Sequence, residues 1–379
     1  MTTRIVIVGA GYAGLAAARG LARRTHKATT VTLVNQRAEF VERVRLHQAA
    51  AGQDRRRLAL TQLVDGRVRV LVGTVTAVDA DRQHLHLDTA PFRLDFDVLV
   101  VAVGSGPSPS PIPGMDGIAH TVARPDAADR LRAALDQLPQ GAIVNVVGGG
   151  LTGIELAAEL AESRSHLDVR LLTTGSLGHW LSPRARAHLG AGMEGVGVKV
   201  YDHTHVTRVE DGVIHTATGR RVTSDLTVWA GGFTVPPLAT EAGVAVDHTG
   251  RVIVDDQLRS VSHPNIFAVG DAAARSRRGV AGRMSCQTAL PMGAMVARVI
   301  ATDLRGTSVT APPSRYFWTN ISIGRHDAVT QFTRADDTSL PVVLTGTAAA
   351  RFKEFITRST VFALGGGIRS IASEPRGAG

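Results

Sequence analysis

Two glycine-rich turns, each set between an apolar run and a candidate helix, constrain this 379-residue chain more than any other feature. Gly9-Ala10-Gly11-Tyr12-Ala13-Gly14 follows the run Ile5 to Val8, and Gly148-Gly149-Gly150-Leu151-Thr152-Gly153 follows Ile143 to Val147. In such a turn a buried strand delivers the chain and a helix leaves it. The first glycine permits the tight turn. The second lets backbone approach a pyrophosphate, and the third lets helix pack closely on strand. The helix N-terminus then offers free N–H groups to phosphate. Ala18 and Ala157, each four residues past the last glycine, keep the helix–strand contact small. A third segment, Asn265-Ile266-Phe267-Ala268-Val269-Gly270-Asp271, is a buried strand ending in a carboxylate that can hold a ribityl chain. The expected class is α/β, with two Rossmann-like dinucleotide-binding domains, for FAD and NAD(P)H, plus a small α+β C-terminal domain.

An acidic residue is expected about 20 residues past each turn. It is missing in both copies. The first unit's second strand ends at Asn35, and its counterpart ends at Thr173-Thr174. Asn35 can still bond a ribose hydroxyl. No carboxylate after the second turn selects NADH and no adjacent arginine selects a 2′-phosphate, so NADH and NADPH both stay open.

Composition narrows the chemistry. A 44% hydrophobic content supports sizeable cores. The net charge of +9 is nearly all arginine, since only Lys27, Lys199 and Lys353 are lysines. Codon bias is one explanation and attraction to anions the other. Arg275, Arg277, Arg278 and Arg283, with no acid between them, are the first candidates for an anionic contact. Arg55-Arg56-Arg57 reads instead as a solvated helix face. The single cysteine, Cys286, excludes a redox-active pair within the chain, and it reads as a small buried residue. The loop after the second strand, Phe40 to His47, holds no cysteine, so a thiol peroxidase is disfavoured too. Electrons should therefore leave a flavin directly for an acceptor docked against it. No leader precedes the first strand and no apolar run reaches bilayer length. The expected location is cytoplasmic, with peripheral contact at the inner face of the membrane left open.

The chain organises as residues 1–112, first part of the FAD domain; 113–231, the NAD(P)H domain; 232–300, second part of the FAD domain; and 301–379, a C-terminal domain. The first part leaves through the buried run Asp97 to Val103 into Gly104, followed by the Pro-rich stretch Pro107 to Pro113. The second leaves through Val228-Trp229-Ala230-Gly231-Gly232, so the halves form a loose internal repeat. Ile321 to Thr330 reads as a β-hairpin, Ala348 to Leu364 as an amphipathic helix, and Gly365 to Gly379 as a tail with a mobile end.

GxGxxG, a strand–Gly exit, GGGxTGxExAxEL, a second exit and NxFAxGD together resemble the FAD-dependent pyridine nucleotide–disulfide oxidoreductase superfamily over essentially the whole chain. Without a cysteine pair, and with the segment Ile321 to Val329, the chain is similar to its type II NADH dehydrogenase and apoptosis-inducing-factor-like branch. The resemblance implies that Gly9, Gly11, Tyr12, Ala13 and Gly14 contact FAD, that Asn35 and Gln36 meet the adenosine, and that Asp271 with Gly270 holds the ribityl chain. It further implies FAD contacts from Arg45, Val75, Ala102, Gly104, Gln287 and Thr288. Gly148, Gly150, Leu151, Thr152, Gly153, Thr173 and Gly231 would serve the nicotinamide cofactor. Glu155 would lie near nicotinamide and flavin; a helix N-terminal acid favoured by the dipole is the plain alternative. The branch's AQxAxQ quinone motif is altered: Gln287 keeps the first glutamine and Pro291 replaces the second. Its C-terminal anchoring helices look shortened to Arg351 to Arg358.

Glu155, Gln287 and His47 are the expected catalytic residues, His47 as a proton donor. Phe40, Glu42 and Arg45 are candidates beside the flavin, and Pro291, Phe317 and Trp318 beside the acceptor. No metal site is expected. The leading expectation is an NAD(P)H dehydrogenase that reduces a quinone or quinone-like small molecule, respiratory or in a biosynthetic pathway. A reductase for a protein such as ferredoxin is the alternative. A redox-sensing flavoprotein with an anionic partner ranks third, because no nucleic-acid recognition motif is present. A monooxygenase is disfavoured by the missing FxGxxxHxxxW pattern. A monomer and a homodimer both fit.

Overall fold

In the computed structural model of the chain, residues 2–25, 28–277, 280–312 and 315–365 are described. Lys27, Arg278 and the tail beyond Gly365 lie outside the described residues, as does the side chain of Arg277.

The chain opens with β1 (Thr3–Val8), α1 (Tyr12–Arg24) and β2 (Thr29–Asn35), then α2 (Leu46–Ala50), β3 (Val68–Val72) and β4 (Val98–Val101). A second unit contains α3 (Pro125–Leu135), β5 (Ile143–Val147), α4 (Leu151–Ser163), β6 (Asp168–Leu172), β7 (Lys199–Tyr201) and β8 (Leu226–Trp229). The chain then returns with β9 (Ile266–Ala268) and α5 (Cys286–Asp303). It closes with β10 (Trp318–Ile323), β11 (Asp327–Thr333), β12 (Ser339–Thr345) and α6 (Gly346–Ala363).

Both expected dinucleotide folds are present. The first sheet is five-stranded and parallel, in the order β9-β4-β1-β2-β3. The second is four-stranded and parallel, in the order β7-β6-β5-β8. Parallel strands are covered on both faces, so they read as continuous apolar runs and not as alternations. Ile5, Ile7, Val144 and Val146 are fully shielded. In both sheets the fingerprint turn leaves the central β1 or β5, next to the strand where order reverses, which is where such folds bind ligands.

The return of the chain makes the first unit whole. β9 pairs with β4, and α5 lies against α1. That helix crossing is close because its residues are small. A Cβ at Gly293 would sit 2.1 Å from Ala13 O, and one at Gly20 would sit 2.5 Å from Ala297 Cβ. Overpacking of this kind costs roughly 1–3 kcal/mol. The two strand–Gly exits also meet: Gly106 pairs with Thr234 and Pro107 with Phe233, antiparallel. The first residue of the Pro-rich stretch, Pro107, is therefore in one strand of a two-strand crossover.

β10, β11 and β12 form an antiparallel sheet, with Ile323 opposite Asp327 and Trp318 opposite Phe332. The expected hairpin is present with wider bounds, and the expected helix starts two residues earlier and ends one earlier. Arg55-Arg56-Arg57, expected on a helix, is instead in an extended loop. Gly52 at φ +116° ends α2 before the arginines are reached. No helix among the described residues is long and apolar enough to cross a membrane.

Candidate functional site

The two fingerprints have the same internal geometry. Gly9 has φ +102°, and a Cβ there would lie 2.3 Å from Ala102 O; one at Gly14 would lie 1.8 Å from Gly9 O. Gly148 has φ +129°, with Ala230 C at 2.8 Å, and a Cβ at Gly153 would lie 1.9 Å from Gly148 O. The middle glycines differ in kind. A Cβ on Gly11 or on Gly150 would meet nothing within 4 Å. Packing thus forces the outer glycines, while the middle ones face open space at a helix N-terminus. Neither helix has a side-chain cap there. Uncapped N–H groups beside an unfilled cradle suit a pyrophosphate, so the residues present fit a dinucleotide in each unit.

Asn35 and Thr173 support these loops. Asn35 Oδ1 accepts a hydrogen bond from Ala10 N at 3.0 Å, and Nδ2 donates to Arg37 O at 2.8 Å. Asn35 therefore has a structural duty beside the ribose contact expected of it. Gln36 is exposed next to it, and Val75 is half-buried against the first unit's core. Thr173 is buried under the second loop, where a Cβ on Gly149 would lie 2.1 Å from its Oγ1. Leu151 is exposed at the start of α4, and Thr152 shares a small hollow with Trp229 and Ala230. Gly231 is folded under the Trp229 ring, at 2.3 Å from a hypothetical Cβ.

Asp271 follows β9 on a short turn in which Gly270 has φ +66°. Ser105 Oγ donates to Asp271 Oδ2 at 2.7 Å, and Arg43 Nη1 lies 3.7 Å from the same oxygen. Arg43 also donates to Ser105 Oγ at 3.2 Å. Both partners sit at the carboxyl end of the sheet, beyond Ala102 and Gly104. Nearby, Tyr12 packs edge-on against Phe40, with centroids 5.1 Å apart. Burial pushes the Tyr12 phenol well above its ordinary pKa, with added repulsion from Cys286 and Glu42. Burial likewise raises the Cys286 thiol, so it is held as the neutral thiol.

The expected acceptor residues are tied to backbone. Gln287 Oε1 accepts from Phe317 N at 3.0 Å, and its Nε2 reaches Trp318 O at 3.5 Å. Gln287 thus fastens the start of α5 to the C-terminal sheet. Thr288 Oγ1 donates to the Ser285 and Arg283 carbonyls at 2.9 and 3.1 Å. Phe317 is 53% exposed, and Trp318 stacks edge-on with Phe352 of α6 at 5.4 Å. Pro291 lies inside α5.

A buried charge cluster joins α2, α4, β10 and α6. Lys353 Nζ donates to Glu155 Oε1 and, at 2.8 Å, to Ser322 Oγ; Ser322 N donates to Glu155 Oε1 at 3.1 Å. Burial pushes the Glu155 carboxyl up, but the Lys353 ammonium, His47 and the Ser322 amide together hold the group below its ordinary value. His47 lies beside this pair. Burial, opposed by Glu155 and reinforced by Lys353, Arg325 and Arg45, pulls its imidazole down to about 4. Its burial favours the neutral imidazole. It is 5% exposed, and its Nε2 has no hydrogen-bond partner.

Arg45 links the loop after β2 to α6, through Glu42 at 3.2 Å and Glu354 at 2.9 Å. A cleft of about 1610 Å³ opens beside it, lined by Phe40, Arg45, Gln53, Arg132, Arg325 and Glu354 among others. Of the arginine cluster expected to meet an anion, the two described side chains, Arg275 and Arg283, are committed internally. Arg275 donates to Pro312 O at 2.6 Å and pairs with Asp256, while Arg283 pairs with Asp337 at 2.7 Å. Arg55 bonds Asp129 at 2.6 Å and Arg37 bonds Asp126 at 2.9 Å, both fastening loop to α3. Sequence reasoning missed Lys353, Ser105, Arg43, Gln53 and Glu159. Lys353 carried a faint signal, as one of three lysines among 42 basic residues.

Two dinucleotide cradles on paired Rossmann-type sheets, with a carboxylate at the end of the returning strand, define a two-nucleotide oxidoreductase. The chain belongs to the pyridine nucleotide-disulphide oxidoreductase family, whose model matches residues 3–293. FAD and NADH or NADPH, the expected cofactors, are those of this family. An NADH dehydrogenase-like protein of Mycobacterium tuberculosis is 30% identical over 356 residues, covering 86% of this chain and 87% of that protein. The ferredoxin–NAD(+) reductase component of a Paraburkholderia xenovorans biphenyl dioxygenase system is 31% identical over 333 residues, covering 85% and 79%. The sulfide:quinone oxidoreductase of Aquifex aeolicus has the same fold at a TM-score of 0.79, with 18% identity and coverage of 96% and 92%.

Proposed function

We propose that this chain is an FAD-dependent NAD(P)H oxidoreductase that passes electrons to a quinone or quinone-like small molecule without a redox disulfide. The observation that carries the proposal is the pairing of two pyrophosphate cradles with a single, half-buried thiol at Cys286. Gly9, Gly11 and Gly14, with the N-terminus of α1, would hold the FAD pyrophosphate. Asp271, aligned by Ser105, would take the ribityl hydroxyls. Gly148, Gly150 and Gly153 would hold the nicotinamide dinucleotide. The bound flavin supplies hydride acceptance and electron release; the protein supplies position and exclusion of water.

The chain's own residues favour a compact apolar acceptor. Phe317, Trp318 and Phe352 make an aromatic wall beside the Gln287 end of α5. Gln287 positions that wall through the Phe317 amide. Glu155, fixed by Lys353, supports the nicotinamide side as an anion. α6 presents Phe355 and Phe362 to solvent along with Arg351 and Arg358, a composition that suits shallow contact with an anionic membrane surface.

Sequence similarity to a ferredoxin reductase supports a second reading, delivery to a small iron–sulfur protein. Reoxidation of the reduced protein separates the two. Rapid turnover with menadione and none with ferredoxin supports the quinone reading; the reverse supports the protein partner. Parallel reductions with NADH and NADPH determine the donor.

A further inference from the structure

The cleft beside Arg45 is walled by three parts of the fold. They are the stretch from Arg37 to Leu63 of the first unit, α3 of the second, and the C-terminal layer through Arg325, Glu354 and Arg358. Among the described residues, eight arginines and six carboxylates line it, so its walls carry an excess of positive charge. Many of these charges are spent on one another. Arg37 holds Asp126, Arg55 holds Asp129, and Arg45 holds both Glu42 and Glu354. Arg132 comes no nearer than 3.8 Å to Asp54, which is fully exposed. Arg57 and Arg325 are exposed, line the cleft and form no ion pair among the described residues. Their backbones are nonetheless fixed. Leu58, next to Arg57, pairs with Phe40, and Arg325 N donates to Glu162 Oε2 at 2.7 Å.

We propose that this cleft binds the acidic end of the electron acceptor, with Arg57 and Arg325 as its counter-charges. The inference rests on the proposed quinone-type acceptor and narrows its class to a quinone that carries a carboxylate or sulfonate. A guanidinium presents a planar fork of donors that matches such groups. NAD(P)H and one proton from solvent reduce the quinone to the hydroquinone and leave NAD(P)+; the acidic group takes no part in that exchange. Arg57 and Arg325 bind and orient.

The place of the cleft fits an acceptor better than a nucleotide. No fingerprint glycine lines it, and neither does Ser105 or Asp271. It lies instead behind the loop that borders the ribityl carboxylate. Glu42 and Arg45 line the cleft, while Arg43, between them in the chain, turns to Asp271 at 3.7 Å. Buried Phe40, Leu58 and Leu63 add apolar lining, and Phe40 packs edge-on against Tyr12 of the first fingerprint. α6 borders both this cleft and the aromatic wall, through Glu354 and Arg358 on one and Phe352 on the other. Glu39, exposed in the same lining, is an opposing charge.

The test uses the FAD-loaded protein at saturating NADH or NADPH, with a naphthoquinone sulfonate and the uncharged menadione as acceptors. Replacing both cations, Arg57→Gln with Arg325→Gln, should raise KM for the sulfonate about tenfold or more. Its kcat, and both constants for menadione, should stay within about twofold. Glu39→Gln should lower KM for the sulfonate. Added salt should weaken the sulfonate's kcat/KM and leave menadione's unchanged. Naphthalene sulfonate, which takes no electrons, should bind the oxidised wild type by calorimetry and not the double variant, which reads the site without turnover. Equal effects on both quinones, or calorimetric binding that survives in the double variant, would overturn the inference. Displacement of naphthalene sulfonate by equimolar inorganic phosphate would overturn it too, by marking a free-phosphate site. A wild type that reduces neither quinone but still reduces ferricyanide would instead remove the quinone reading, and this inference with it.

Discussion

Lys353 of the last helix donates to Glu155 Oε1, on the fifth residue of the second fingerprint helix and 198 positions earlier in the chain. The pair is nearly enclosed, with side-chain exposures of 18% and 13%. It pins the C-terminal layer to the second nucleotide unit.

Removing one partner of such a pair strands the other. Lys353→Met should destabilise the protein by about 3–5 kcal/mol in urea unfolding, because Glu155 loses its counter-charge. Pairing it with Glu155→Gln should recover much of that loss. A single-variant cost under about 1 kcal/mol would show that the pair behaves as a solvated surface bridge.

The glycines divide into two kinds of defect. Gly14→Ala and Gly153→Ala drive a Cβ to 1.8 or 1.9 Å from a carbonyl oxygen and should give little folded protein. Gly150→Val meets only open space, so it should fold, keep its flavin and lose flavin bleaching by NAD(P)H. Unchanged reduction kinetics in Gly150→Val would contradict the second cradle.

Asp271→Ala should purify without flavin colour, since it removes the carboxylate that Ser105 orients at 2.7 Å. Ser105→Ala should keep flavin with weaker retention. Full FAD occupancy in Asp271→Ala would refute the ribityl assignment.

Acid sensitivity should come from two groups. Glu354, against the cost of burial, is held down to about 2 by Arg45 and Arg358. Its stabilisation is present above the ordinary value of 4.5 and is lost as pH falls through about 2. His47 is held to about 4, so the unfolded chain binds the extra proton and stability falls as pH drops from 6.5 to about 4. Glu159 acts in the opposite direction. Its carboxyl is raised to about 7, so stability falls as pH rises from 4.5 through about 7. Melting temperatures should therefore show Glu159→Gln gaining on the wild type above pH 7 and not below 4.5. A constant offset at all pH values would contradict the assignment.

Local features made the architecture legible in the sequence. Each fingerprint needs its glycines within six residues, and each buried parallel strand shows as an unbroken apolar run. Asn265 to Asp271 carried its strand and carboxylate in one segment. The charge cluster was not legible in this way. Gln53 meets Glu159 across 106 positions and Arg45 meets Glu354 across 309, and no local period encodes such pairings. The same limit explains His47, whose burial depends on α3 and α4 packing against α2. The arginine runs misled because charge suggests solvent, whereas Arg275 and Arg283 spend their donors on neighbouring backbone and carboxylates.

The most direct measurement is an anaerobic titration of the purified yellow protein with NADH and, separately, NADPH, following the visible flavin band. Two functional nucleotide sites on one chain require that at least one donor bleaches the flavin fully at one equivalent, with oxidised nicotinamide formed in equal amount. An FAD-loaded protein that neither donor bleaches would contradict an NAD(P)H oxidoreductase.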